Sequence, residues 1–189
     1  QAGITQDILV FRGFDDIGAK VILQNQFIAV CSDWSHLEFL KKNSLNQPIR
    51  LHLKFDTGMN RHGFAVEQAE KIKQFLSDNS VFQLEGICTH LLRGDDIDSA
   101  AGATHTQLKK MLQVEEVFSS LTQNIHCYNS AGFMGRLSLQ NSRAKLPEYL
   151  AKPWGVRPGI MLYGSQPSEK TKHIQLRPVM SLRSQVQLI

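Results

Sequence analysis

The 189-residue sequence has few cysteines and lacks any hydrophobic run long enough to cross a membrane. Its apolar stretches stay well below the ~18 consecutive apolar residues that a spanning helix needs. Its first residues, QAGITQDILVF, carry neither the basic segment nor the small-residue cleavage site of a signal peptide. With 42% hydrophobic residues, the chain is long enough to bury one core. We therefore expect a soluble globular domain in the cytoplasm, without membrane contact.

The small number of cysteines argues against a disulfide framework. Cys31, Cys88 and Cys127 stand singly in apolar runs, with no CxxC pair and an odd total. A zinc site would have to join Cys88 with His90, and His126 with Cys127. Neighbouring residues of a strand point to opposite faces, however, and the usual ligand spacings are absent. We predict reduced, packed thiols and no metal site.

Concentrated positive charge is also missing, although the formal net charge is +4. The basic residues are scattered, and their longest runs are pairs such as Lys41 with Lys42 and Lys109 with Lys110. Solvated helix faces account for such pairs, whereas a nucleic-acid site would need a basic patch or stripe. We therefore predict no nucleic-acid partner.

Short β-rich runs alternate along the chain with longer stretches of helical period. This alternation predicts an α/β fold, either a doubly wound sheet or a (β/α)8 barrel. Polar residues follow four consecutive strands, which favours the barrel, because there the chemistry collects at the carboxyl ends of many strands. The predicted strands cover residues 8–14, 27–32, 49–56, 84–91, 124–130 and 156–164, and the predicted helices cover residues 32–42, 66–76 and 108–121.

The number of predicted strands falls short of a closed barrel. The sequence therefore predicts an incomplete (β/α)8, TIM-type barrel with about six of the eight βα units. We assign residues 1–176 to this partial barrel domain. The alternating segment RPVMSLRSQVQLI assigns residues 177–189 to the leading strand of a C-terminal β-domain. An incomplete barrel would leave strand edges unpaired, so we expect the sequence to be part of a longer protein.

The segment LHLKFDTGMNRHGF, residues 51–64, places a lysine within an apolar strand and an arginine just beyond it. Lys54 shares one face of the strand with His52 and Asp56, and it needs a partner there. Three interpretations remain open: an ion pair, a Schiff base with an aldehyde cofactor, or modification of the lysine to an anion. Arg61 follows a glycine-containing turn, where its paired donors can reach an anionic or phenolic oxygen, or it is a surface arginine.

Further polar groups follow the later strands. His90 ends its strand, where an imidazole can stack on a ring, act as acid or base, or serve a structural role. Asn129 and Ser130 precede a helix start, where they can bind an anion or simply cap the helix. Gly159 follows Arg157 and lets a phosphate approach main-chain N–H groups, at a place where barrels often bind phosphate. An aromatic cofactor with a phosphate group fits these residues.

Four segments, LHLKFDTGMNRHGF, EGICTHL, YNSAG and VRPGIMLYG, resemble in order the motifs of the alanine racemase family of fold-type III pyridoxal-phosphate enzymes. The resemblance covers nearly the whole chain. It implies pyridoxal 5'-phosphate as cofactor, interconversion of L-alanine and D-alanine for peptidoglycan synthesis, and a homodimer for the intact enzyme. A broad-spectrum amino-acid racemase and a non-catalytic pyridoxal-phosphate-binding barrel protein are the alternatives.

The resemblance also implies a role for each matched residue. Arg61 corresponds to the arginine that hydrogen-bonds the phenolic oxygen of the cofactor, and His90 to the histidine beside the pyridine ring. Arg157 corresponds to the arginine that donates to the pyridine nitrogen. Lys54 matches the lysine that some members carry as N-carboxylysine. The implied phosphate-binding positions are Ser130, Gly159 and Ile160, with Asn129 close to the same pocket.

Two essential groups of the family are expected outside this sequence. The family's Schiff-base lysine lies in the first barrel strand and its catalytic tyrosine lies in the C-terminal β-domain, so we expect neither within residues 1–189. Arg61, His90 and Arg157 would then support catalysis, and the chain alone is expected to be inactive. The sequence departs from the family in LLRGDD after His90. It departs again in the link GRLSLQNSRAKLPEYLAKPWG, which is longer by roughly a dozen residues, a length that loop-closure entropy tolerates.

Overall fold

The computed structural model describes residues 3–45, 47–141 and 146–185. Parallel strands and intervening helices dominate these ranges. The strands are β1 (Leu9–Val10), β2 (Ile28–Cys31), β3 (Ile49–Asp56), β4 (Phe64–Ala65), β5 (Phe82–Cys88), β6 (Ile125–Tyr128) and β7 (Gly155–Val156). The α-helices are α1 (Asp16–Gln24), α2 (Trp34–Asn43), α3 (Ala69–Ser77), α4 (Ala103–Phe118), α5 (Ser130–Asn141) and α6 (Glu148–Ala151). Short 3-10 helices occupy Val66–Gln68, Gly94–Asp96, Ile160–Tyr163 and Glu169–Thr171.

The strands form one parallel sheet in the order β1-β2-β3-β5-β6-β7, and the two-residue strand β4 pairs with the end of β3. In this register Ala29 lies opposite Leu51, and Leu53 lies opposite Ile87. The sheet curls into a half-barrel with helices packed against it. This arrangement confirms the predicted incomplete (β/α)8 barrel.

The two faces of β3 explain why this strand is apolar and charged at once. Leu51, Leu53 and Phe55 point outward and are completely buried beneath the helices. Each such side chain contributes roughly 1.5–3 kcal/mol through burial. His52 and Lys54 alternate with them and point into the half-barrel, where they remain more than nine-tenths buried. The alternation predicted for this strand is therefore confirmed.

The helices begin and pack as their sequences dictate. The carboxylate of Asp15 accepts a hydrogen bond from Gly18 N at 2.8 Å and so caps α1, and Asp33 caps α2 through His36 N. Helix α4 buries a stripe at helical spacing against the sheet. The fully buried side chains of that stripe are Leu108, Met111, Val114 and Phe118.

The sheet is shorter than predicted at its edges. The strand expected over residues 156–164 is wrong, because β7 ends at Val156 and Ile160–Tyr163 forms a 3-10 helix. Pro158 has no N–H to donate to a strand ladder, so the pairing stops there. The strand expected over 8–14 is reduced to Leu9–Val10, since Asp15 already caps α1. The strand expected over 124–130 ends at Tyr128, because Ser130 begins α5.

The remaining boundaries differ by a few residues. The strand predicted over 84–91 covers 82–88, and the three predicted helices cover residues 34–43, 69–77 and 103–118. Helices α1 and α6 were not anticipated, and of α5 only the start near Ser130 was. Residues 175–185 adopt neither helix nor strand, and 186–189 lie outside the described residues. The start of a second domain at residue 177 therefore stays a prediction.

Gly63 allows the chain to fold back beneath the end of β3. Its φ of 142° lies in the region that side-chain-bearing residues rarely adopt. A Cβ at this position would collide with the backbone of Asp56 and would come within 2.7 Å of the Phe55 carbonyl carbon. Only glycine fits, and the turn fixes the loop from β3 to β4.

We expect Gly63→Ala to lower the free energy of unfolding by about 2 kcal/mol, since strained backbone conformations cost of order 1–3 kcal/mol each. Urea denaturation of the purified chain measures this change. Gly13→Ala serves as the control, because a Cβ there would meet only the His36 side chain at 3.7 Å. Equal stability of Gly63→Ala and the wild-type chain would refute the steric account.

Candidate active site

A cleft of 610 Å³ opens at the carboxyl ends of the strands, with lining residues from the segment after β1 to the segment after β7. Its walls are rich in positive charge and imidazole groups. Asp33 is the single carboxylate residue among the described residues that line it. The basic and imidazole groups of the lining are Lys54, Arg61, Arg157, His36, His62 and His90. Such a set suits a ligand with several anionic or lone-pair oxygens and a ring.

Asp56 shapes the loop that carries Arg61. Its carboxylate accepts hydrogen bonds from the four consecutive backbone N–H groups of residues 58–61, at 2.8 to 3.0 Å. Burial alone would raise the pKa of Asp56, but these four donors hold it below its usual value. The charge of Asp56 is thus committed to the backbone, and the exposed side chain of Arg61 reaches the cleft from this loop.

Lys54 points into the cleft from β3 and is 8% exposed. Its Nζ donates to the carbonyl oxygen of His62 at 2.7 Å, and no carboxylate of the described residues lies within ion-pair distance. Burial, with a smaller contribution from the nearby Arg61 guanidinium, lowers the pKa of Lys54. The ion pair considered from the sequence is therefore not formed.

Arg157 is fixed by hydrogen bonds to β6 and to the residue that directly follows β5. Its Nη1 donates to the carbonyl oxygen of His126 at 2.7 Å and to His126 Nδ1 at 2.5 Å, and its Nη2 donates to the carbonyl oxygen of Thr89. The guanidinium also lies 5.2 Å from the ring centre of Phe11. Within the described residues no acceptor faces Nε, so this donor can serve a ligand.

A buried histidine pair continues from Arg157 into the half-barrel. His126 Nε2 lies 2.7 Å from His52 Nδ1. Because Arg157 donates to His126 Nδ1, the His126 proton sits on Nε2 and is donated to His52. Burial, reinforced by Arg157, lowers the pKa of His126 to about 3, and burial lowers that of His52 to about 4. Both imidazoles are therefore neutral at physiological pH.

His90 lines the cleft from the start of the loop after β5. Burial, followed by the charges of Arg157, Arg61 and Lys54, lowers its pKa to about 4. The ring is therefore neutral at pH 7. A neutral imidazole can lie against an aromatic ring without adding a further charge to an already cationic cleft.

Ser130 and Gly159 form a second polar cluster beside Arg157, outside the lining of the cleft itself. Ser130 Oγ accepts hydrogen bonds from Gly159 N at 2.9 Å and Met161 N at 3.4 Å. Its hydroxyl proton can still be donated to an anion. Ile160 begins the adjoining 3-10 helix and is half exposed.

Asn129 makes the helix-capping contacts that the sequence left open as one of its two roles. Its Oδ1 accepts a hydrogen bond from Gly132 N at 2.9 Å, and its Nδ2 donates to the carbonyl oxygen of Leu91 at 3.0 Å. The carboxamide thus caps α5 and ties it to the loop after β5. Its predicted place in the ligand pocket stays a prediction.

Comparison with known proteins shows which family the chain belongs to. The sequence matches the family model described as alanine racemase, N-terminal domain, over residues 1–167. The chain belongs to the alanine racemase family. The resemblance of its four motifs to that family is thereby confirmed.

The curated relatives that match the chain are longer than it is. It is 32% identical to the catabolic alanine racemase of Pseudomonas aeruginosa, a match that covers 98% of the chain and 48% of the relative. It is also 32% identical to an alanine racemase of Coxiella burnetii, covering 98% of the chain and 49% of the relative. The chain therefore spans about half the length of the curated relatives it matches.

Solved alanine racemase structures share the fold. The structure from Clostridium difficile 630 superimposes with a TM-score of 0.75 at 25% identity, over 93% of this chain and 44% of the other. The structure from E. faecalis gives a TM-score of 0.71 at 26% identity, over 94% of this chain and 46% of the other.

The structure thus collects four of the residues that the alanine racemase motifs singled out, Lys54, Arg61, His90 and Arg157, in one cleft. Sequence reasoning missed the link between His52 and His126, whose 74-residue separation hides their contact. The only signal for it was the position of His52 two residues before Lys54 on the same face.

Within the described residues no group of three or more His, Cys, Asp or Glu could hold a metal ion, and no helix there could span a membrane.

Acid should weaken the fold through the histidine pair. The folded-state pKa values of about 4 and about 3 for His52 and His126 lie below the ordinary value of 6.5. The unfolded chain therefore binds more protons, and the stabilisation is complete above pH 6.5 and is lost as the pH falls toward 4. The slope is about 1.4 kcal/mol per pH unit for each extra proton.

We expect the free energy of unfolding of His126→Gln to fall less steeply than that of the wild type as the pH is lowered from 6.5 to 4. Urea denaturation at several pH values measures this slope. The exposed His173 gives the control, and His173→Gln should retain the wild-type slope. An unchanged slope in His126→Gln would contradict the neutral pair.

Proposed function

We propose that this chain forms the cofactor-binding part of an alanine racemase, which holds pyridoxal 5'-phosphate and interconverts L-alanine and D-alanine. The observation that carries the proposal is the convergence of Arg157 with Arg61 and His90 in one cleft. Arg157 is held most firmly of the three, because it donates hydrogen bonds to His126 of β6 and to Thr89 just beyond β5. Names of the relatives support the substrate, since those described above are called alanine racemases.

The cleft fits the chemistry of the cofactor. A volume of 610 Å³ lies within the range of roughly 300–1,000 Å³ typical of small-molecule sites. Arg61 and Arg157 supply donors for anionic and lone-pair atoms, and the neutral ring of His90 supplies a flat surface. Gly159 follows Arg157 by two residues, and its N–H donates to Ser130 Oγ. A phosphate group there would meet a hydroxyl donor and the start of a 3-10 helix.

Pyridoxal 5'-phosphate, when bound, withdraws electrons from the α-carbon of an amino acid and so makes its proton easier to remove. Arg157 would donate from Nε to the pyridine nitrogen and retain its own proton, because a guanidinium is not deprotonated in proteins. The ring nitrogen then stays unprotonated, which limits the electron withdrawal. His126, as the acceptor for Arg157, would keep the guanidinium in place.

Arg61 would donate to the phenolic oxygen, and Ser130, Gly159 and Ile160 would hold the phosphate. His90 would cover one face of the ring. Asn129 would act only indirectly, by fixing the start of α5 next to Ser130. The lysine and tyrosine that move the α-proton in the family are expected outside residues 1–189, so the residues of this chain bind and orient.

The remaining features of the proposal concern the intact protein. We propose a cytoplasmic homodimer that supplies D-alanine for peptidoglycan. The alanine racemase names of the relatives support this setting. The P. aeruginosa relative is called catabolic. A catabolic and a biosynthetic racemase would both interconvert L-alanine and D-alanine.

Lys54 is proposed to carry a carboxyl group on Nζ. Burial lowers its pKa, which raises the share of neutral amine that can attack carbon dioxide and form a carbamate with release of a proton. The modification would change a repulsion between Lys54 and Arg61 into an attraction. Arg61 would then be held toward the cofactor by a neighbouring anion.

The cofactor proposal is tested by equilibrium dialysis of the 189-residue chain with pyridoxine 5'-phosphate, which lacks the aldehyde and so avoids surface lysines. Arg157→Met should weaken binding by about tenfold or more, the effect of losing one charged hydrogen bond. Exposed Arg183 supplies the control Arg183→Met, which should bind as the wild type does. Equal affinities of all three proteins would refute the role of Arg157, and racemase turnover by the chain alone would refute the binding-only assignment.

The carbamate is tested by 13C NMR of the chain in 13C-bicarbonate at pH 8. We expect one protein-bound carbamate resonance that disappears in Lys54→Met and persists in Lys41→Met, since Lys41 is exposed. Absence of the resonance from the wild-type chain, or its persistence in Lys54→Met, would overturn the assignment.

A further inference from the structure

One buried glutamine on α4 contacts both loops that carry cleft residues. Gln107 is 1% exposed, although glutamine is usually found at the surface. Its Nε2 donates to the carbonyl oxygen of His90 at 2.9 Å and to Thr57 Oγ1 at 3.3 Å, and its Oε1 accepts from Leu92 N at 2.9 Å. Thr57 follows β3, whereas His90 and Leu92 follow β5.

These contacts use both donors of the carboxamide and one of the two lone pairs of its oxygen. The two N–H donors of Gln107 meet two different oxygens, and its carbonyl oxygen meets a backbone N–H. Thr57 Oγ1 also lies 2.8 Å from Thr89 Oγ1, which joins the same two loops a second time. Because the group is buried, loss of one partner would leave an unsatisfied polar atom.

Packing adds to this connection on the Arg61 side. A Cβ at Gly58 would lie 3.4 Å from Gln107 Cγ, so the glutamine stem lies close to the turn that begins the loop. That turn is the one organised by the Asp56 carboxylate, and Arg61 is its last residue. A shift of Gln107 would therefore move both Arg61 and His90.

We propose that Gln107 is a positioning residue that sets the placement of the Arg61 loop relative to His90. The inference deepens the proposed function, because Arg61 and His90 are the residues assigned to the phenolic oxygen and the ring of the cofactor. Gln107 itself does not line the cleft. It acts through its hydrogen bonds to the loops after β3 and β5.

The first test compares Gln107→Leu with two controls on the same helix by NMR of the 189-residue chain. Gln113→Leu makes the same change at an exposed site, and Met111→Ala removes a fully buried side chain. Gln107→Leu should accelerate amide exchange at Leu92 by about tenfold, the effect of one lost hydrogen bond. It should also move the Arg61 Nε–H resonance and raise the pKa of His90 toward the ordinary value.

The controls separate positioning from general stability. Met111→Ala should lower the free energy of unfolding while leaving the Arg61 resonance and the pKa of His90 unchanged, and Gln113→Leu should change none of these quantities. The proposal is overturned if Gln107→Leu leaves both cleft signals at their wild-type values, or if Met111→Ala moves them equally.

Gln107→Glu keeps the shape of the side chain, and it replaces the leucine variant in the test if that variant fails to fold. As a carboxylate it cannot donate to the His90 carbonyl oxygen, whereas the protonated acid can donate one hydrogen bond. The resonances of His90 and Arg61 should therefore differ from wild type when the new carboxyl is ionised and return toward wild type when it is protonated. Gln113→Glu is the control, and equal pH behaviour of the two glutamate variants would overturn the proposal.

These readouts need no cofactor, so they are independent of the proposed function. Adding pyridoxine 5'-phosphate then connects the two. Weaker binding to Gln107→Leu than to Gln113→Leu supports positioning for this cofactor. If the wild-type chain binds none while the loop signals still respond to Gln107, the proposed function fails and the positioning role of Gln107 stands.

Discussion

The site depends on the hydrogen bonds that hold Arg157 against two neighbouring strands. Nη1 bonds to His126 of β6 and Nη2 bonds to the carbonyl oxygen of Thr89, just beyond β5. A guanidinium is planar and its donors have fixed directions, so fixing two of its nitrogens also fixes the third. The direction of the Nε–H donor is then fixed by the other two nitrogens. This rigidity makes Arg157 suited to a single acceptor atom on a flat ring.

Holding a cation in that position requires neutral neighbours that can accept hydrogen bonds. His126 and His52 meet this need, because burial keeps both uncharged and their shared hydrogen bond fixes the proton of His126 on Nε2. The inner face of the half-barrel is therefore polar at this level, although most barrel interiors are filled by branched apolar side chains. The fold accepts the desolvation of these groups because each one has a partner.

Much of this could be predicted from local pattern. The alternation in β3 placed Lys54 on the inner face, and the motifs brought Arg61, His90 and Arg157 to strand ends. The apolar pattern of VRPGIMLYG predicted too long a strand, and the signal against it was Pro158, whose missing N–H breaks the ladder. Contacts such as that of His52 with His126, or of Gln107 with both loops, depend on strand register and helix rotation. Those properties arise from packing of the whole domain, and residue spacing does not carry them.

The state of the pyridine nitrogen tests the account most directly. Pyridoxine 5'-phosphate labelled with 15N in the ring can be bound to the 189-residue chain at pH 7 and examined by NMR. The account predicts the shift of an unprotonated, hydrogen-bonded pyridine that changes toward that of a free pyridine in Arg157→Met. A pyridinium shift in the wild-type complex, or a shift that Arg157→Met leaves unchanged, would contradict it.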